Sequence, residues 1–447
     1  MPVQKSRTLR PSRKSFQNSG WLPKSQEAFH DYMDKLSKKV EKQRKLIRDG
    51  DAALLQPVQE FKNFIESEPT VYGEFIRMFE VASKDDEDPP RSYEDLIDMI
   101  NEIFRLAPSF GDLGPPMYMI MARIMDTQGG FSAFTKENLN MHFKKMFVAW
   151  SLFLSSKDSR DVLNDGNNGW FGVEAKNMMM EQYPDRAFED VFICDPTVEY
   201  YGFTSYEDFF NRRFRDPETD RPTGDLTNDA IVSSATESTS YAYQEKVQKY
   251  DELFIKDEAY SLQHLLAGHN VEDFVSGTVL QGFLNTTGYH RWHAPVNGTI
   301  RQIVDIPGTY FAQAPNTIGE PVDDLEAPPY LRSLRFFSNT AARQLIFIQA
   351  DNLQIGLMCV VSIGMTEIST CQATVYEGQH VVRGEELGMF HFGGSSSALV
   401  FRASSGVKID EVYKCPDVPL KINHPLNMNI PNIPNSPWVP PGRTGHV

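Results

Sequence analysis

Near Tyr200 the hydrophobic period of the chain changes, and no other feature of the sequence limits its fold as tightly. From Gln26 to about residue 182, apolar side chains recur at three and four, the spacing that gives a helix one buried face. The clearest runs are 27–48 and 58–65, with others at 117–125 and 135–154. Ser92-Tyr93-Glu94-Asp95 reads as a capping box that opens a helix over 96–106. Asp85-Asp86-Glu87-Asp88-Pro89-Pro90 reads as a solvated, proline-ended break between helices. Beyond Tyr200, short β-branched runs at 275–284, 298–304, 345–349, 355–363 and 372–376 are separated by Gly, Pro or Asn. A helical block followed by strands, rather than alternating with them, predicts an α+β fold. The expected divisions are a disordered basic tail over 1–25, an all-α domain over 26–190, a β-rich catalytic domain over 200–427 and a Pro/Asn-rich tail over 428–447.

Charge and composition narrow the function. Lys and Arg number 44 against 60 Asp and Glu, a net −16 that repels phosphate backbones and argues against nucleic-acid binding. The longest apolar stretch, 146–154, is about half of what a membrane span needs, so no stable membrane insertion is expected. The first 26 residues carry six basic side chains and no acid; Pro2 and Pro11 interrupt any helix there, which favours a plain tail over a mitochondrial transit peptide. Cys194, Cys359, Cys371 and Cys415 contain no C-x-x-C pair, which fits neither a disulfide framework nor a zinc site and points to a reducing compartment, cytoplasmic with mitochondrial as the alternative. The Met117, Met119, Met121, Met125 cluster and the run 178–180 lack interleaved Cys or His, so they read as core rather than as metal ligands.

Two constellations carry chemistry. Gly393-Gly394-Ser395-Ser396-Ser397 lacks the second glycine of a nucleophile elbow, and neither a phosphate loop nor a dinucleotide glycine motif occurs. A glycine before a serine does permit the strained geometry in which a hydroxyl attacks its own preceding carbonyl, while a flexible turn is the alternative. The second constellation is His290 and His293, three apart. Gly288, Pro295 and Gly298 favour extended backbone, so the two imidazoles point differently and can do two jobs. A pair of structural histidines fits the same spacing, and a metal pair lacks a third ligand nearby.

Three stretches stand in a fixed order: Asp208-Phe209-Phe210-Asn211-Arg212-Arg213-Phe214-Arg215 with Arg221-Pro222 behind it; Tyr289-His290-Arg291-Trp292-His293-Ala294-Pro295-Val296-Asn297-Gly298; and Gly384-Glu385-Glu386-Leu387-Gly388 running into Gly393-Gly394-Ser395-Ser396. Together they resemble the phosphatidylserine decarboxylase family. The helical part, with Gln56-Pro57-Val58-Gln59-Glu60-Phe61-Lys62 and Gly111-Asp112-Leu113-Gly114-Pro115-Pro116, is similar to the soluble fungal branch of that family. The resemblance implies that Ser395 attacks the Gly394 carbonyl, that the chain is cut between Gly394 and Ser395, and that Ser395 becomes a covalent pyruvoyl cofactor on a small chain that stays bound to the rest, with no PLP. By the same resemblance His293 activates Ser395 and His290 serves decarboxylation. The family's acid falls at Thr236 when matched without gaps, and Glu237 beside it is the carboxylate that replaces it. The implied substrate is a free aromatic L-amino acid, L-tryptophan first, giving tryptamine and CO2. Phosphatidylserine decarboxylation to phosphatidylethanolamine is the alternative within the family; an uncleaved binding protein is the alternative outside it. An acidic chain without a lipid anchor fits the free amino acid better.

Overall fold

A computed structural model describes residues 13–82, 89–112, 114–251, 260–319, 327–367, 369–392, 395–415 and 417–427. Gly394, the tail 428–447 and most of the acidic break at 85–90 lie outside the described residues. The helical block comes first: α1 (Arg13–Asn18), α2 (Gln26–Asp49), α3 (Gln56–Ser67), α4 (Pro69–Ala82), α5 (Tyr93–Ile103), α6 (Pro116–Met125), α7 (Gln128–Phe134) and α8 (Glu137–Leu154). Ser25 caps α2 by accepting from Ala28 N, and Gly50 closes it at φ 82°, a left-handed turn that costs glycine nothing. Ser92 accepts from Asp95 N at 3.2 Å as the capping box requires. The return half is displaced by one residue, because the Asp95 carboxylate takes Arg91 N at 3.1 Å. The four methionines of α6 are all at most 5 % exposed and pack as core.

The strands are β1 (Ser238–Glu245), β2 (Thr278–Phe283), β3 (Arg291–His293), β4 (Gly298–Ile306), β5 (Arg343–Ala350), β6 (Leu357–Gly364), β7 (Thr370–Ala373), β8 (His380–Val381), β9 (Glu386–His391), β10 (Ser395–Phe401) and β11 (Pro419–Leu420). Among the described residues they form an antiparallel sheet ordered β11-β1-β2-β10-β6-β5-β4-β8 and a smaller sheet ordered β3-β9-β7, completing the α+β fold. β5, β6 and β10 are buried on both faces, which is why the middles of β5 and β6 read as apolar runs rather than alternating ones, while β10 opens on three buried serines. One buried cluster runs from Phe16 to Leu426, so helices and sheets share a core.

The segment expected as a disordered tail is folded from Arg13 onward. Phe16 and Trp21 are fully buried, with ring centroids 4.9 and 5.7 Å from Phe283 of β2. The Trp21 indole donates to the Leu284 carbonyl at 3.1 Å. Two aromatic side chains are too few to give a periodic signal, yet their burial against β2 is what ties this segment to the body of the protein. Among the described residues no helix is long and apolar enough to cross a membrane, no His/Cys/Asp/Glu cluster could hold a metal, and all four cysteines are free.

Candidate active site

Ser395 opens β10, an interior strand, opposite Gly364 of β6, and its carbonyl accepts from Leu284 N at 2.8 Å. Ser396 next to it is fully engaged: its hydroxyl donates to the Gly282 carbonyl at 2.9 Å and accepts from the Gln281 amide at 2.6 Å. The Ser395 hydroxyl is buried and has no hydrogen-bond partner among the described residues. A buried hydroxyl left unpaired costs about 1–3 kcal/mol, so it marks a place where chemistry rather than packing fixes the residue.

β3 and β9 pair antiparallel, and a bulge between Trp292 and His293 re-aims the second histidine. His293 Nδ1 lies 2.7 Å from the Gly384 carbonyl, which can only accept, so Nδ1 carries the proton. Nε2 is therefore the lone-pair nitrogen, and Tyr289 donates its hydroxyl to it at 3.0 Å. Burial lowers the His293 pKa below the ordinary imidazole value and keeps the ring neutral. His290 stacks on Phe210 with ring centroids 4.1 Å apart, and neither of its nitrogens has a well-formed hydrogen bond. Burial, reinforced by the neighbouring Arg212 charge, holds its pKa well below the usual range. The two histidines thus differ: one is oriented at both nitrogens, the other makes no well-formed hydrogen bond among the described residues.

The arginine motif builds the frame. Arg212 donates to the carbonyls of Thr287 and Gly288 at 2.7 and 2.8 Å, while Arg291 donates to Asn211 O at 2.8 Å and grips both Glu386 oxygens at 2.9 Å. Phe210 also lies 5.6 Å from Phe392, three residues before Ser395, so one side chain touches both His290 and the segment that leads into the serine.

Glu237 is buried but not joined to His293. Arg221 holds it through Nε to Oε1 at 2.5 Å and Nη2 to Oε2 at 2.9 Å, and Ile422 N donates to Oε1 at 2.9 Å. Its charge favours a protonated His293 from a distance, and the carboxylate lines a small cavity together with Tyr289. Thr236 bonds Ser238 at 3.1 Å. Tyr289, Arg221 and Phe210 were each part of a quoted motif, but no spacing revealed which partner each would take.

A groove of about 400 Å3 opens among the helices, floored by Leu36, Ile103, Leu106 and Trp150, with Lys35, Lys39, Asp158 and Asp161 around it. The Trp150 ring meets Phe392 edge-on at 5.2 Å, placing the groove floor one ring away from the segment before Ser395.

Family models described as phosphatidylserine decarboxylase match residues 55–179 and 206–415. The chain is 56% identical to an L-tryptophan decarboxylase of Psilocybe cyanescens over 93% of its length and 95% of that protein's. It is 53% identical to the L-tryptophan decarboxylase of Psilocybe cubensis, over the same shares. The decarboxylase iboD of Amanita muscaria is 36% identical over 67% of this chain and 87% of its own. With both parts of the chain matched and the serine, histidine and arginine stretches assembled around one strand end, the protein is a decarboxylase that belongs to the pyruvoyl-dependent phosphatidylserine decarboxylase family.

Proposed function

We propose that this chain cuts itself between Gly394 and Ser395 and then decarboxylates free aromatic L-amino acids, L-tryptophan first, releasing tryptamine and CO2. The observation that carries the reading is the Ser395 hydroxyl, buried and unpartnered at the start of an interior strand and preceded in sequence by two glycines. The substrate class is supported by the two Psilocybe relatives, each named for L-tryptophan and each matched over nearly its whole length.

His293 is the base for maturation. Its Nδ1–H is anchored on Gly384 O, so Nε2 is the atom that takes a proton, and the Tyr289 hydroxyl on Nε2 provides the relay. Glu237 supports the charge that develops there without touching it. After cleavage the pyruvoyl group, made from Ser395, supplies the electron sink that PLP supplies elsewhere, so no PLP is required. His290, neutral and without a well-formed hydrogen bond among the described residues, exchanges a proton at the substrate α-carbon. Phe210 fixes its ring by stacking. The groove floored by Trp150 gives a free aromatic amino acid an approach with an apolar floor and charges of both signs at its sides. The four free cysteines accord with a reducing, cytoplasmic setting.

Purified protein incubated separately with L-tryptophan and with phosphatidylserine vesicles tests the reading, with product analysis beside intact mass. Amine from L-tryptophan together with chains 1–394 and 395–447 is expected. Lipid turnover alone would give the phosphatidylserine reading, and an active preparation holding only the full-length chain would end the pyruvoyl one.

A further inference from the structure

Glu367 lies in the turn after β6, three residues past Gly364, which faces Ser395 across the sheet. Three residues span about 10 Å at most and paired strands lie about 5 Å apart, so the Glu367 backbone stands within about 15 Å of the serine. A chain of contacts leads from the serine toward it. Ser395 O accepts from Leu284 N, Leu284 O accepts from the Trp21 indole, and the Trp21 carbonyl lies 3.6 Å from where a Cβ on Gly114 would stand. Three residues on, Met117 N at the start of α6 donates to Glu367 Oε1 at 2.8 Å. Gly114 and Pro115 in turn line a small cavity with Phe392, the last described residue before Ser395.

Glu367 is 4 % exposed, and its second oxygen, Oε2, makes no well-formed hydrogen bond among the described residues. Thr366 beside it is held at φ 51°, a strained conformation for a β-branched residue, with its amide bonded to the Tyr330 hydroxyl at 3.0 Å. An oriented carboxyl with one free oxygen, kept in place by strained backbone, is costly unless that oxygen has a task. The groups that face it are Tyr330, Thr366 and the amides of Met117 and Tyr118; Arg13 and Asp126 act on the Tyr118 hydroxyl beyond them.

We propose that Glu367 receives the ammonium group of the amino-acid substrate on Oε2 and takes one proton from it. An ammonium nitrogen has no lone pair, so it must lose a proton before it can bond to any carbonyl carbon. The N–H bond breaks, an Oε2–H bond forms, no electrons are exchanged, and the proton leaves with the water of condensation. Burial raises the Glu367 pKa to about 7, which suits a group that must both accept and release that proton near neutrality. The inference rests on the free amino acid as substrate.

Glu367→Gln keeps an acceptor for Met117 N and removes only the titration. Wild-type kcat/KM for L-tryptophan should rise with pH to a plateau above about pH 7. The variant should mature normally, lose about 10- to 100-fold at pH 7, and regain about tenfold per pH unit toward the substrate's own ammonium pKa. Independently of activity, the infrared band of a protonated carboxyl should titrate near pH 7 in the uncleaved Ser395→Ala protein and vanish in Ser395→Ala/Glu367→Gln. A flat wild-type profile from pH 6 to 8, a variant profile parallel to wild type, or an unchanged infrared band would each overturn the role. Wild-type turnover of phosphatidylserine in place of L-tryptophan would instead defeat the substrate reading.

Discussion

Replacing Glu237 with Gln separates a structural carboxylate from a catalytic one. The Glu237 and Arg221 side chains are only 5 and 7 % exposed and share two hydrogen bonds, with a third from Ile422 N. Removing one partner of a buried ion pair costs about 3–5 kcal/mol, because the other charge stays buried without a counter-ion. Gln retains an acceptor for Ile422 N and for one Arg221 N–H, so the expected loss is about 2–3 kcal/mol. Stacking of the guanidinium on Tyr183, 4.3 Å away, persists in the variant. Guanidinium unfolding of Glu237→Gln in the single-chain Ser395→Ala background measures this loss, and adding Arg221→Met should recover most of it by removing the stranded cation. Cleavage, followed on gels in the Ser395 protein, should slow by about tenfold or less, since no bond joins Glu237 to His293; a missing general acid or base would cost about 10²–10⁴-fold. Unchanged stability would refute the ion-pair reasoning. Arrested cleavage in folded protein would show that Glu237 reaches His293 directly during maturation.

The two histidines should separate the two steps: His293→Ala stays full length, whereas His290→Ala still cleaves but loses about 10²–10⁴-fold in amine production, read by a gel beside a tryptamine assay. Full cleavage in the first with none in the second would reverse the roles. Because burial lowers the His293 pKa, its base form extends to lower pH; cleavage of freshly synthesised proenzyme should stay level from pH 8 to about 6.5, the ordinary imidazole value, and fall only below it. A midpoint above that value would refute the assignment. Trp21→Ala should destabilise the fold by about 3–5 kcal/mol in the same unfolding assay, and a silent substitution would return this segment to a free tail.

Local signals were legible and long-range partners were not. Ser92 announced a helix start, and the run 345–349 marked the centre of Arg343–Ala350, because capping and apolar periodicity act within one turn or one strand. The strand that matters most, Ser395–Phe401, escaped because three serines open it. Ser396 is at home in a buried position because distant groups meet it, the Gln281 amide and the Gly282 carbonyl. The His290/His293 spacing suggested that the two imidazoles point differently, but Tyr289 as the partner of His293 and Phe210 as the support of His290 depend on a bulge and on the docking of a separate segment. Glu237 was found by position, whereas its commitment to Arg221 could be read only once the two segments were brought together.

β10 lies between β2 and β6, bonded along its length on both sides. A cut immediately before it would turn a unimolecular fold into an assembly of two chains without loosening it, since every ladder contact of residues 395–401 survives. The difference would surface only on denaturation. The uncut Ser395→Ala chain should refold on cooling, whereas the mature protein would have to recapture an interior strand from dilute solution, so its melting should be irreversible and its recovery dependent on concentration. Maturation would then leave the enzyme protected by its unfolding barrier rather than by an equilibrium.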